Sequence, residues 1–525
     1  MQTSEQALQA LLGEIFPESA GEGLLQHNLR DLGGDSIVAA GLAARIWRKW
    51  GISLPVVQLL RTPTFAALLP LLPDVPQESV REIHKVSTTE IWRQTSAQQM
   101  IYLEQARQPD STAYNIPLVA AIPQAVSPQQ FQRALQQTAE RFPALFCQFY
   151  DEDGAFLFRY VGVSQVPLSR FESWQQACGQ FVQPFKLDRD CLLRAALIPW
   201  DGQQTRLMLD FCHIAADGLS VGYFLEQLRA ALLLAPQKEE EASDVFAWSR
   251  WVEGETYAAQ QQEAARYWQR HLTPAVARPR WPLQQAASPQ GLDYAMQQVQ
   301  LDRTLCKAIR LRADENAVTP FTLFLLAWAL LQGDVTGCWQ GRVGLVTSGR
   351  HDPAWQHTFG MFVNTLILPV ALSPQQRLDE ALQALAGHAH AALAHQHYPF
   401  AAQRELLGER TDALDALFAF QNIDYQNIDL LGGQFRAFWE AKRMAQFGMV
   451  LHIFDRASQG YEIQWEHAPT CFSAALVQSL LGRYREILQA LATLPGHLPL
   501  ERCLEINEES DPVQGAVATV DFNFS

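Results

Sequence analysis

The sequence predicts a small all-α bundle followed by a larger α+β region. Up to residue 72 the apolar positions recur at helical spacing, with no alternating stretch, and a proline-bearing polar segment follows. Beyond it, short apolar runs bounded by turn residues are interspersed with amphipathic helical stretches, the mixture expected of α+β layers. A length of 525 residues leaves room for two to four domains.

Hydrophobic residues make up 48% of the chain and charged residues 18%, which suits packed globular domains and not disorder. A net charge of −15 argues against a nucleic-acid partner, because a phosphate backbone calls for a basic patch. The eight cysteines are scattered without a C-x-x-C pair. We therefore expect no metal site and no disulfide framework, and a reducing, cytoplasmic setting. The N-terminus lacks a basic stretch with an apolar core, and no uninterrupted apolar run reaches about 18 residues, so neither a signal peptide nor a membrane span is expected.

Leu8, Leu11, Leu12, Ile15 and Phe16 give the first segment an amphipathic helix. A polar loop leads to Gly33-Gly34-Asp35-Ser36, where Asp35 and Ser36 occupy the N-cap of a helix over Ile37–Trp50. Gly51 ends that helix, and Thr62-Pro63-Thr64 opens a last one through Phe65–Leu72. Four short helices with this loop resemble a peptidyl carrier protein, and Leu32-Gly33-Gly34-Asp35-Ser36 matches the attachment motif of that family. The resemblance implies a carrier over residues 1–75. It implies that Ser36 receives 4′-phosphopantetheine from coenzyme A through a phosphopantetheinyl transferase, and that an upstream adenylation domain or protein loads the arm. A hydroxyl at a helix N-terminus suits a phosphodiester, whose charge the helix end favours. Residues 76–91 read as an extended linker.

In the larger region, the apolar runs Leu192–Ile198 and Leu207–Leu209 flank the turn residues Asp201-Gly202 and read as a hairpin. Its second strand ends at Cys212-His213. Small residues and the turn Asp217-Gly218 follow, and Leu219-Ser220-Val221 opens a helix. A strand end running into a tight turn presents an imidazole on a rigid support, with Asp217 free to fold back as partner or brace. By strand alternation, a His213 facing a cleft leaves Cys212 facing the core.

This stretch resembles the His-His-x-x-x-Asp-Gly signature of the condensation domains of nonribosomal peptide synthetases, with His213, Asp217 and Gly218 matching and Cys212 standing for the first His. Thr95–Tyr102 resembles the opening motif of that family, Phe131–Phe149 the second without its His and Arg, Val245–Trp248 the fourth, Phe359–Leu366 the fifth, His395–Phe400 the sixth, and Leu417–Asn422 the end of the seventh. The resemblance covers about residues 92–500. It implies two chloramphenicol-acetyltransferase-like lobes in a V, over 92–272 and 273–510, with a hinge near 273–290, an active site in a tunnel at their junction and a tail over 511–525. The chain is expected to be either an excised fragment or a complete protein, with which Met1 and that tail are compatible.

The implied reaction is amide formation from a carrier-bound donor thioester and an acceptor amine, either free or on the carrier of another protein. An α-amine with a pKa of about 7.7–8 suits an imidazole near 6.5 as proton acceptor or aligner, so His213 is the catalytic candidate. Asp217 and Gly218 complete the catalytic set as scaffold and as backbone donor or space. Arg194 is expected to pair with Asp217, and Cys212 to pack as structural support. An epimerisation domain, or a non-catalytic platform recruiting partner enzymes, are the alternatives. The Phe-Val-Asn-Thr-Leu stretch at residues 362–366 favours condensation over epimerisation.

Overall fold

The computed structural model describes residues 3–16, 23–29, 31–32, 42, 45–46, 49–50, 52, 54, 58–59, 62–73, 89–122, 127–200, 204–234, 245–273, 276–282, 292–350, 352, 355–356, 358–408, 414–421, 428–438, 444–456 and 459–505. The chain forms two compact units, one built mainly from residues 1–86 and one comprising nearly all of the remainder.

In the small unit, helix Ser4–Ile15 is opened by Thr3, whose hydroxyl accepts the Gln6 N–H while the Gln6 side chain returns to the Thr3 N–H. Leu8, Leu12, Leu42, Ile46, Trp50, Leu59, Phe65 and Leu68 close into one core. Leu42, Ile46 and Trp50 recur every fourth residue, so the described part of the helix expected over Ile37–Trp50 buries one face. The last helix expected in this unit is a 3-10 segment, Phe65–Leu71. Pro70 removes one N–H from its final turn, and the Thr64 side chain makes no cap hydrogen bond. Ser36, most of the linker and the whole tail lie outside the described residues.

The large unit holds two six-stranded sheets. The first has the strand order Asp429–Leu430, Gly433–Ala437, Asn115–Ile122, Gln204–Cys212, Leu193–Trp200, Leu168–Arg170. Its centre is the expected hairpin: Arg194 pairs with Asp210, Ile198 with Arg206 and Trp200 with Gln204. Helices Pro128–Glu140 and Gly218–Leu232 pack together, and Phe224 of the latter meets Phe211 of the sheet edge-on at 5.1 Å. The second sheet has the order Asn364–Ala371, Gln340–Thr347, Ala416–Gln421, Met449–Asp455, Tyr461–His467, Ala295–Gln300, and is mixed. It shares a core with helices Arg303–Glu315, Pro320–Thr336, Leu378–Ala394 and Ala474–Thr493. Pro320–Thr336 is buried all round from Thr322 to Gly333, so its apolar residues show no stripe.

Two features depart from the sequence expectation. Residues 429–437, placed in the second lobe by resemblance, add two strands to the first sheet, with Phe435 pairing with Ala120. Short strands with weak alternation give no hint of which sheet they join. Within the expected hinge, Trp281 is buried on Trp328 at a ring distance of 5.2 Å, and Arg278 bonds to Asp415. Those described residues are anchored, and the proline- and glutamine-rich composition around them concealed it.

Candidate functional site

His213 follows directly on the strand Gln204–Cys212, and several hydrogen bonds hold its backbone surroundings in place. Its N–H donates to the Tyr114 carbonyl at 2.9 Å, and the Ala215 N–H donates to the Cys212 carbonyl at 3.0 Å. The Gln98 side-chain amide donates to the Ile214 carbonyl at 3.4 Å. Gln98 also closes the capping box of helix Ser96–Arg107 with Thr95, so the stretch Thr95–Tyr102 serves as a brace for the His213 loop. Tyr114 lies edge-on to the imidazole at 6.4 Å, and burial raises its hydroxyl pKa.

The imidazole is partly exposed, and its Nδ1 lies 2.9 Å from the Ala216 carbonyl oxygen. A carbonyl can only accept, so Nδ1 carries the proton and the lone pair of the neutral ring sits on Nε2.

Cys212 is buried, and burial pushes its thiol up to about 12. A nucleophilic thiolate at that position is therefore disfavoured, and the cysteine packs as a small apolar residue. On the same face of the strand, Asp210 is fully buried. Its Oδ2 accepts the Asn115 amide at 2.8 Å and lies 3.6 Å from Arg194 Nε, while its Oδ1 has no hydrogen bond among the described residues. Burial raises the carboxyl to about 7, against the lowering influence of Arg194 and Asn115. The Arg194 guanidinium also rests 3.8 Å above the Phe185 ring.

Arg194 is thus the partner of Asp210, and the expected pairing with Asp217 is corrected. The reason is register: the hairpin sets Arg194 directly opposite Asp210. Asp217 is held by N–H and O–H donors instead. It is the N-cap of helix Gly218–Leu232, with Oδ1 accepting the Ser220 N–H at 2.9 Å and lying 2.8 Å from the Ser220 hydroxyl. Its Oδ2 accepts the Phe362 N–H at 3.2 Å, from the second half of the unit. Gly218 is the first residue of that helix, where the helix dipole is positive.

Phe359–Leu366 and His395–Phe400 are fastened to each other. The Asn364 amide donates to the carbonyls of Gln396 at 2.8 Å and Tyr398 at 2.7 Å. Phe142, which occupies the place of the missing His of the second motif, packs against Phe359 with the rings tilted at 4.5 Å and lies 5.8 Å from Phe224. Among the described residues no cluster of His, Cys, Asp or Glu is arranged to hold a metal ion.

The condensation-domain family matches residues 89–508, and the phosphopantetheine attachment site family matches residues 6–72, a span that includes Ser36. The chain belongs to the condensation-domain family. It is a carrier followed by a condensation domain, the arrangement of nonribosomal peptide synthetases, a family of amide-forming acyltransferases. Bacitracin synthase 3 of Bacillus licheniformis is 24% identical over 93% of this chain, and tyrocidine synthase 3 of Brevibacillus parabrevis is 25% identical over 98%. Tyrocidine synthase 2 of the same organism is 24% identical over 89%. The chain spans only 8%, 8% and 13% of those proteins, respectively. The starter condensation domain of rhizomide synthetase has the same fold, with a TM-score of 0.68 at 21% identity over 79% of this chain and 97% of that one. The first condensation domain of the CDA synthetase gives 0.65 at 19%, over 79% and 99%.

Sequence reasoning missed Asp210, Asn115, Ser220 and Gln98 as parts of this site. The first was within reach. Folding the hairpin about Gly202 puts Arg194 and Asp210 at equal distances from the turn.

Proposed function

We propose that this chain joins a donor acyl group, held as a thioester on the carrier arm, to the amine of an acceptor, with His213 as the group that receives the amine proton. The observation that carries this reading is the tautomer. The Ala216 carbonyl fixes the proton on Nδ1, which puts the basic lone pair on Nε2, on the ring edge away from its own loop.

The carrier supplies the thiol. Phosphopantetheine, when attached, holds the acyl group as a thioester at the end of a flexible arm. Ser36 is the residue we assign to hold it. Beyond it, Leu42, Ile46 and Trp50 pack into the carrier core, and a helix opening at Ser36, as the sequence predicts, would favour the charge of a phosphodiester there.

The condensation domain does the rest with its own residues. As the amine nitrogen attacks the thioester carbonyl, a new C–N bond forms and the C–S bond breaks. His213 Nε2 takes the proton that the nitrogen sheds and returns it to the departing sulfur. Asp217 keeps the loop in place, and Gly218 provides the first turn of a helix whose positive end favours developing negative charge. Cys212 and Arg194 support the strand from the buried side. General-base assistance of this kind contributes roughly 100- to 10,000-fold.

The test uses the full chain. Ser36 is loaded with an acyl arm by a phosphopantetheinyl transferase, and a free amine or a charged acceptor carrier is added. An amide of the expected mass is predicted. His213→Ala should lower its rate by at least about 100-fold, with loading of Ser36 unchanged, and Ser36→Ala should abolish loading. Product formation by His213→Ala at the wild-type rate would overturn the role of His213. Inversion of the donor centre without an amide would select epimerisation. No reaction with any acceptor would select the platform reading.

A further inference from the structure

We propose that Ser220 is a positioning residue that sets the aim of His213 by fastening the catalytic loop to residues 359–362. The inference rests on the role given to His213 above and adds to it.

Ser220 lies in the first turn of helix Gly218–Leu232 and is fully buried. Capping that helix requires only the Asp217 carboxylate and the Ser220 N–H. The Ser220 hydroxyl does more. It lies 2.8 Å from Asp217 Oδ1 and 2.8 Å from the Gly360 carbonyl oxygen, which share its single proton, and it accepts the Gly360 N–H at 3.0 Å. Both polar backbone atoms of Gly360 therefore end on this loop, since its carbonyl also accepts the Asp217 N–H at 3.1 Å. The Phe362 N–H adds the third strand of the fastening through Asp217 Oδ2.

The other end of the fastening is rigid. Gly349 has a φ of +67°, and a Cβ there would collide with the Phe362 carbonyl, so the Phe362 backbone is seated against the end of strand Gln340–Thr347 at a position only glycine allows. Asn364 ties the strand that follows to residues 396 and 398. Phe359 is packed against Phe142. On the catalytic side, Ala216 adjoins Asp217, and its carbonyl is the acceptor that orients the imidazole. A displaced Asp217 moves that carbonyl and rotates the ring. Replacing the Ser220 hydroxyl by hydrogen would strand the Gly360 N–H in a dry site, and an unpaired buried donor drives local rearrangement.

The test compares Ser220→Ala with Gly349→Ala, which disturbs the same segment from its opposite side, in the full chain. Two quantities are read: steady-state amide formation, and hydrogen exchange of peptides covering 359–362. Both variants should lose about 10- to 100-fold in kcat, the cost of misplacing a reacting group by about an ångström, with KM for the acceptor within about threefold. Exchange should quicken at 359–362 by about tenfold while strand Gln340–Thr347 keeps its protection. A wild-type kcat in Ser220→Ala would overturn the proposal. So would a lost kcat with unchanged exchange at 359–362, or exchange that quickens equally throughout the unit. The exchange arm is read on the unloaded chain, so a wild-type chain that makes no amide would defeat the proposed reaction while the fastening is still decided.

Discussion

On the helix-covered side of the second sheet, Leu451, Ile453, Ile463 and Trp465 meet Trp328 and Tyr484, and the Tyr484 hydroxyl donates to the Phe324 carbonyl at 2.9 Å. On one face of the first sheet, Arg194 and Asp210 lie side by side under Phe185, one strand step from the catalytic loop, with Asp210 Oδ1 lacking a hydrogen bond among the described residues. The first arrangement is a shape-filled apolar core, in which every ångström of burial is favourable. The second keeps an ion pair out of water, where desolvation competes with attraction. The contrast assigns different duties. The second sheet anchors residues 359–362, and the first accepts a less comfortable interior while presenting His213.

The sharpest way to test that contrast is truncation in the apolar core. Trp465→Ala should destabilise the large unit by about 4 kcal/mol, at all pH values alike, read as a lowered midpoint in calorimetry of the full chain. Arg194→Met should cost about 3 kcal/mol at pH 8, because it leaves the Asp210 charge buried without its partner. Its effect must depend on pH. The Asp210 carboxyl is raised to about 7 in the folded chain, above its unfolded value of about 3.9. Its contribution is therefore fully present below about pH 4 and is lost as pH rises through about 7. The Arg194→Met deficit should accordingly shrink on acidification from pH 8 to pH 4. A deficit that is flat over this range would show that Asp210 does not titrate there.

Asp210→Asn should flatten the pH dependence of the wild-type midpoint between about pH 4 and pH 7, a smaller effect read in the same scans. The smallest effect is expected at Cys212. With its thiol near 12, it should resist alkylation at pH 8 in the native chain, and Cys212→Ala should change kcat less than about threefold. Rapid labelling of Cys212 in the native state would contradict the burial of that face.

Much of the first sheet was legible. The pairing of the two strands on either side of residues 201–203, the inward Cys212 and the helix opening after Asp217 all follow from local pattern, because hairpins and caps are short-range devices. The partner of Asp217 was not legible. A carboxylate with an arginine on the neighbouring strand invites an ion pair, yet the donors that satisfy it include the backbone N–H of Phe362, which sequence letters do not display. The fifth motif region was recognisable as a unit, but its purpose, holding Gly360 and Phe362 against Asp217 and Ser220, depends on a long-range contact. The second motif shows the reverse: Phe142 reads as a loss of polar chemistry, and in the fold it gains an aromatic contact with Phe359.

The strand Gly433–Ala437 completes a sheet whose neighbouring strand, Asn115–Ile122, was synthesised hundreds of residues earlier. On the ribosome, the edge of Asn115–Ile122 must wait with its backbone groups unpaired until residue 437 has emerged, an interval that invites misassociation with other extended segments. It also sets a rule for building hybrids: a junction near residue 273 would separate this strand from its sheet, so exchanging the halves between relatives requires the Asp429–Ala437 ribbon to travel with the N-terminal piece.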